Sequence, residues 1–131
     1  FIRGNGLITH GIGIGSFVYL RRIFEYLIEE AHIKRKNEKG WNEEEYINSR
    51  ISDKIQILRT ELPDFLVKNK SIYSILSIGI HELSENECLK YFPSVKLGIE
   101  LILDEKLEKK QKEDKINLAT KNIMKIVNEI K

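Results

Sequence analysis

Gly79-Ile80-His81-Glu82-Leu83-Ser84-Glu85-Asn86-Glu87 is the stretch on which the reading of this sequence turns. Ser84 is followed three positions later by Glu87, just ahead of Cys88, Leu89 and Phe92. That spacing lets the serine hydroxyl and the glutamate carboxylate satisfy each other's backbone N–H groups, so a helix is predicted to start close to Glu85. On the near side of the corner, Ile72, Ile75, Leu76 and Gly79 fall on one helical face. The apolar density from 72 to 80 predicts the most buried helix of the set, with a core strand as the alternative. A buried helix, a polar corner holding a histidine beside a glutamate, and a capped successor imply an all-α fold.

Working backwards, residues 64–80 carry Phe65, Leu66, Ile72, Tyr73 and Ile75, with a break predicted at Lys68-Asn69-Lys70-Ser71, where Ser71 recaps the helix. Pro63 disfavours helical geometry in Leu62 and suits a first turn itself. Before it, Asn42 is placed to cap a helix whose first turn, Glu43-Glu44-Glu45, suits the positive end of the helix dipole. Its stripe is read as Ile47, Ile51, Ile55, Leu58 and Leu62. Further back, Phe17, Leu20, Phe24, Leu27 and Ala31 recur at intervals of three and four, a helix capped by Ser16. Residues 1–15 are dense in glycine and are predicted to be loop or a short edge strand. Glycines ahead of a helix can cradle phosphate, but no strand precedes them and no Gly-Lys-Ser/Thr follows.

Working forwards, Pro93 is expected to kink or divide the helix begun at Glu85. Val95, Ile99, Ile102, Leu103 and Leu107 then make a clean amphipathic face. Residues 104–115 are charged on nearly every side and can persist as a solvated helix through i,i+4 pairs. Beyond them Ile116, Ala119, Ile123, Ile126 and Ile130 alternate strictly at three and four. This short heptad stripe is suited to dock on a bundle or on a second chain. The reading is a single domain over 1–131. It comprises a lead-in (1–15), a bundle of four main up-down helices (16–105) and a charged then amphipathic C-terminal helix (106–131). The chain opens on Phe1, so a fragment of a longer polypeptide is expected.

Composition narrows the functional classes. The chain has 131 residues, 41% apolar and 32% charged, with a formal net charge of +2. That is the balance of a globular protein, with no overall basic field to argue for nucleic acid. No apolar run is long enough to span a bilayer and no secretory signal is evident, so a cytoplasmic protein without membrane contact is expected. The single cysteine, Cys88, forms no internal disulfide, and a structural zinc site needs about four clustered ligands, so no metal or cofactor is expected. Cys88 lies where a helix N-terminus can lower a thiol pKa, but no orienting third group accompanies it, and a small buried residue is the favoured reading.

The order of a Leu-Arg-Arg-Ile-Phe-Glu helix, an Ile-x-x-x-Ile-x-x-Leu helix, an apolar helix ending in Gly-Ile-His-Glu-Leu and an acidic-capped last helix resembles the HEPN superfamily of prokaryotic helical bundles. It is similar in particular to bacterial members found beside other domains in defence or stress proteins. The resemblance covers residues 16–105. It implies a helical bundle and, in the ribonuclease members, metal-independent RNA cleavage by an Arg separated from a His by four to six intervening residues. In this chain the positions before His81 that the spacing allows are Ser74, Ile75 and Leu76, none of them basic. Such a cation stabilises developing phosphate charge and is worth roughly 2–4 kcal/mol, so its absence removes a large part of the chemistry. Arg3 and His10 satisfy the spacing but lie in the glycine-rich lead-in.

Three functions follow from the sequence. The first is a non-catalytic helical module that dimerises or binds a partner protein. The second is a divergent endoribonuclease using His81, Glu82 and Arg21 or Arg22 across a dimer, against which His81 reads as a corner histidine bonded to a neighbouring helix end. The third is a nucleic-acid or nucleotide sensor with RNA held by Lys34, Arg35 and Lys36. The surface charges Arg21, Arg22, Glu25 and Glu29 are otherwise ordinary solvated pairs, and His32 is assigned no chemistry.

Overall fold

The computed structural model describes residues 13–131, and every regular element in them is helical. They are α1 (Gly13–Arg35), α2 (Glu43–Asn48), α3 (Ile51–Ile57), a 3-10 turn (Arg59–Glu61), α4 (Asp64–Lys68), α5 (Ser71–His81) and α6 (Glu85–Ile130). The Arg3–His10 pair and residues 1–12 of the lead-in lie outside the described residues.

Three helices organise the rest. Gly79 of α5 sits over the Phe17 ring and Tyr73 packs against Phe24 with ring centroids 5.6 Å apart, so α1 and α5 run antiparallel. Gly13 abuts Glu85 and Cys88 while Glu30 pairs with Lys106 at 2.7 Å, so α1 and α6 run parallel. The frame is therefore up-down-up. The connecting residues 36–70, which the sequence reads as one long helix and a fragment, form short helices that close one end. Phe17, Leu20, Phe24, Leu27, Ile55, Leu58, Leu66, Leu76, Phe92, Ile99 and Ile102 build the core.

Several expectations change at this point. The most buried helix is α1, not α5: α5 buries only the side that faces α1 and α6, leaving Ile75 and Ile78 on the surface. A strand over 72–80 is excluded by the helix there. Gly13 and Gly15 are helical, and Ser16 is a buried helical residue rather than a cap. The capping is supplied from α6 instead, where the Glu85 carboxylate accepts the N–H groups of Gly13 (2.5 Å) and Ile14 (3.1 Å). The missing side chain at Gly13 permits this approach, since a Cβ there would stand 3.1 Å from Cys88 Cβ. Glu105 repeats the device, accepting from Asp64 N–H and Phe65 N–H at the start of α4.

Asn42 caps α2 as expected, accepting from Glu45 N–H at 3.0 Å. The helix then stops, because Ser49 donates its hydroxyl to Glu45 C=O and its backbone turns extended, the competition with helix that serine side chains offer. In consequence Tyr46 rather than Ile47 is buried. Leu62 is extended before Pro63, as proline requires, and Pro63 stands at the cap position of α4. Ser71 makes no capping bond; Lys70 holds the cap position of α5.

The capping box at Ser84 forms in full, with Glu87 N–H donating to Ser84 Oγ (3.2 Å) and Ser84 N–H to Glu87 Oε1 (3.0 Å). Pro93 does not divide the helix. It sits on the exposed side of α6 while Phe92, Val95 and Ile99 anchor the other side, and that packing offsets the roughly 3 kcal/mol such a proline costs. At 46 residues, α6 is about 69 Å long. Its last half-buried residue is Lys106, and every residue from Leu107 to Lys131 is exposed, with Lys109, Lys112 and Glu113 still bordering clefts against the bundle.

Candidate functional site

The corner residues come first. His81 is the last residue of α5 and Glu82 its C-cap; both side chains are exposed. The backbone beneath them is firmly tied, with Glu82 N–H donating to Ile78 C=O at 2.7 Å. The imidazole itself has no hydrogen-bonding partner among the described residues, so the expected bond from His81 to a neighbouring helix end is absent. Arg21 points elsewhere: it pairs with Glu25 at 3.6 Å and lies 5.9 Å from the centre of the Tyr73 ring, whose hydroxyl donates to Glu25. Tyr73 and His81 are eight residues apart on one helix, about 12 Å of axial rise, so one chain does not bring Arg21 to His81.

What the corner does hold is packing. Gly79 lets the Phe17 ring press onto the α5 backbone, and Cys88 Sγ donates to Gly79 C=O at 3.3 Å. Burial, and then the nearby Glu85 and Glu87, push the Cys88 thiol up from its ordinary value. That direction is the opposite of activation by the helix N-terminus, and full burial matches the reading as a small buried residue.

The basic run Lys34-Arg35-Lys36 is split by structure. Arg35 donates to Glu38 Oε2 (2.8 Å), Thr60 Oγ1 (3.1 Å) and Ile57 C=O (3.3 Å), and lies over the Trp41 ring. Its guanidinium ties the end of α1 to α3 and the 3-10 turn, so it is already committed within the fold. Lys34 opens onto a cleft of about 200 Å³ whose charged lining is mixed, with Glu30, Glu61, Glu105 and Glu113 beside Lys106, Lys109 and Lys110. Lys34 and Lys36 are both exposed, so of the three it is Arg35 alone that the fold holds in hydrogen bonds among the described residues.

An arrangement unassigned from sequence sits beside Arg35. His32 is buried and stacks on Tyr46 with centroids 4.2 Å apart, and its Nε2 donates to Glu43 Oε1 at 2.7 Å. Trp41 Nε1 donates to the same oxygen at 2.9 Å. These bonds, His32's first and Trp41's second, hold the Glu43 carboxyl below its ordinary value. Burial, reinforced by Glu29 and Glu43, pushes the Tyr46 hydroxyl up to about 12. His32 lies four residues beyond Ile28 and eight beyond Phe24, so it continues the apolar stripe; that was its one legible signal. The cluster clamps α1 to α2 and is satisfied internally, which makes it a structural latch.

The remaining surface is the distal half of α6. Ile116, Ile123, Ile126, Val127 and Ile130 are all exposed, Ile123 at 58% and Ile130 at 80%. At 100° per residue, these five with Ala119 occupy one face about 100° wide. None of the described residues covers it. Among the described residues no group of three His, Cys, Asp or Glu is placed to hold a metal ion, and no helix is long and apolar enough to cross a membrane. No protein-family model, curated protein or solved structure matches the chain.

Proposed function

We propose that this chain is a non-catalytic helical interaction module that self-associates through its helices and serves a larger prokaryotic assembly. The observation that carries the reading is the arm of α6 beyond Lys106: an exposed helix with an apolar face and no partner in its own bundle. An isolated helix of this length is marginal in water, and an uncovered apolar stripe on it gains stability only by packing on something else. The charged stretch 107–115 acts as a solvated spacer, and the stripe from Ile116 onward makes the contact. The resemblance of residues 16–105 to HEPN bundles is the ground for the prokaryotic setting. The lack of a basic residue at 74–76 favours the non-catalytic form.

Light scattering across a concentration series tests it. A dimer at about 100 µM that becomes a monomer on deleting residues 107–131 is expected, with the bundle still unfolding cooperatively. A full chain that stays monomeric sinks the reading. Cleavage of RNA in EDTA that His81→Ala abolishes replaces it with the nuclease.

A further inference from the structure

From the order of side chains along the arm, we infer that the occupant of the stripe is the arm of a second copy of this chain, lying antiparallel. In its register Ile116 packs on the partner's Ile126 and Ile123 on the partner's Ala119. The inference rests on the self-association proposed above and adds orientation, register and the residues that set them.

Ile116, Ala119, Ile123, Ile126 and Ile130 fall on heptad positions a, d, a, d and a. In a parallel pair each layer holds two copies of the same residue. Ala119 then faces Ala119, leaving a gap between isoleucine layers on both sides, and going back toward the bundle the seam carries Lys109 and Lys112, each against its twin. Glu108 at position g would also face Glu113 at position e of the other helix. An antiparallel pair removes all three conflicts. Each Ala119 is covered by an Ile123, the large-against-small alternation that fills a layer. Only Lys112 enters the seam, opposite the partner's Ile130, where its aliphatic stem packs while the ammonium reaches water.

Charge agrees with volume. Antiparallel packing brings position g of one helix against g of the other, so Lys115 meets the partner's Glu129, twice by symmetry. Neither residue has an ion-pair partner among the described residues of its own chain. The paired stretch, 112–130, lies among the exposed residues beyond Lys106, so the two bundles sit at opposite ends of the pair, and Lys112, which shares a cleft with Leu62 and Asp64, marks the limit of the contact at each end. Covering the exposed parts of Ile116, Ile123, Ile126, Val127 and Ile130 on both arms removes about 1,000 Å² of surface. That is the lower end for specific association and implies a reversible dimer.

The test is a charge swap read by light scattering on the full chain. Lys115→Glu and Glu129→Lys each turn two attractive contacts into two repulsive ones and weaken self-association about tenfold. Mixing the two variants restores it, because the heterodimer regains both opposite-charge contacts; a parallel pair couples neither site to the other. Spin labels on Gln111→Cys, with buried Cys88 unlabelled, are expected about 30 Å apart along the axis, against about 10 Å for a parallel pair. A dimer that needs the arm but shows no rescue on mixing, or short label distances, overturns the antiparallel register while leaving the module reading intact. A monomer overturns both.

Discussion

Three helical glycines give the packing scheme its sharpest test, because the same substitution at each is expected to have a different outcome. A Cβ at Gly79 would overlap Cδ2 and Cε2 of Phe17, and that ring is fully buried under α5 with no room to retreat. Gly79→Ala gains about 1 kcal/mol of helix propensity. Against this stands displacement of a core phenyl ring: overpacking costs 1–3 kcal/mol, and complete loss of a phenylalanine's packing 3–5 kcal/mol. With overlap on two ring atoms the cost lies at the upper end of the first range or above it. The net is a destabilisation of about 2 kcal/mol, a large part of the stability of a small domain. At Gly98 a Cβ would stand 3.1 Å from Ile72 Cδ1, the mobile tip of a side chain, so Gly98→Ala is expected to come out within about 1 kcal/mol of the parent. At Gly15 nothing among the described residues lies within 4 Å, and Gly15→Ala stabilises by up to about 1 kcal/mol. Urea unfolding followed by far-UV circular dichroism measures all three, with midpoints compared at constant m. A Gly79→Ala chain as stable as the parent would show that Phe17 does not pack against α5 as described, and the α1–α5 pairing would fall with it.

Removing the carboxylates that α6 extends to other helices is expected to loosen those helices first: Glu85→Ala costs about 1 kcal/mol, as for a lost cap, and speeds amide exchange at Gly13 and Ile14, while exchange unchanged there would refute the role. Alkaline titration followed at 295 nm should leave Tyr46 protonated until about pH 12, pushed up by burial. A raised folded pKa means stability fully present below pH 10 and lost as pH climbs toward 12, so Tyr46→Phe should flatten that loss; an ordinary Tyr46 titration would remove it from the latch. Glu43 and Glu87 have folded pKa values held below 4.5, by the His32 hydrogen bond and by the Ser84 backbone N–H respectively. Their contribution is complete above pH 4.5 and disappears as pH falls through the depressed values, so Glu43→Gln and Glu87→Gln should each shallow the acid side of the stability profile, and unchanged profiles would count against both contacts.

The elements that could be read from sequence are those whose determinants lie within a few residues. The Ser84–Glu87 box and the Asn42 cap close over three positions, and the Phe17–Ala31 stripe repeats every turn, so local pattern suffices for each. The features that escaped depend on distant partners. Ser16 reads as a cap because nothing near it announces that Glu85, across the bundle, will take that role. Lys34-Arg35-Lys36 reads as a basic cluster because its charge is local while the groups that use Arg35 up, Ile57 and Thr60, are more than twenty residues on. Ile75 and Ile78 raise the apolar density of α5 to that of a buried helix, yet among the described residues only one side of α5 has neighbours. Density reports how much apolar surface a helix carries, not how much the fold covers.

The same distinction bears on the arm. Its stripe obeys the helical period as strictly as the one on α1, and from spacing alone both read as faces waiting for a core. On α1 the partners arrive from α5 and α6; on the arm the described residues offer none, because residues 36–70 close the bundle and α5 is too short to reach beyond it. An apolar face that the sequence writes with full periodicity and the monomer leaves bare is evidence about a second chain. On the proposed self-association, the Lys109 and Lys112 interruption before Ile116 marks the boundary between the stripe that serves the bundle and the stripe that serves the second copy.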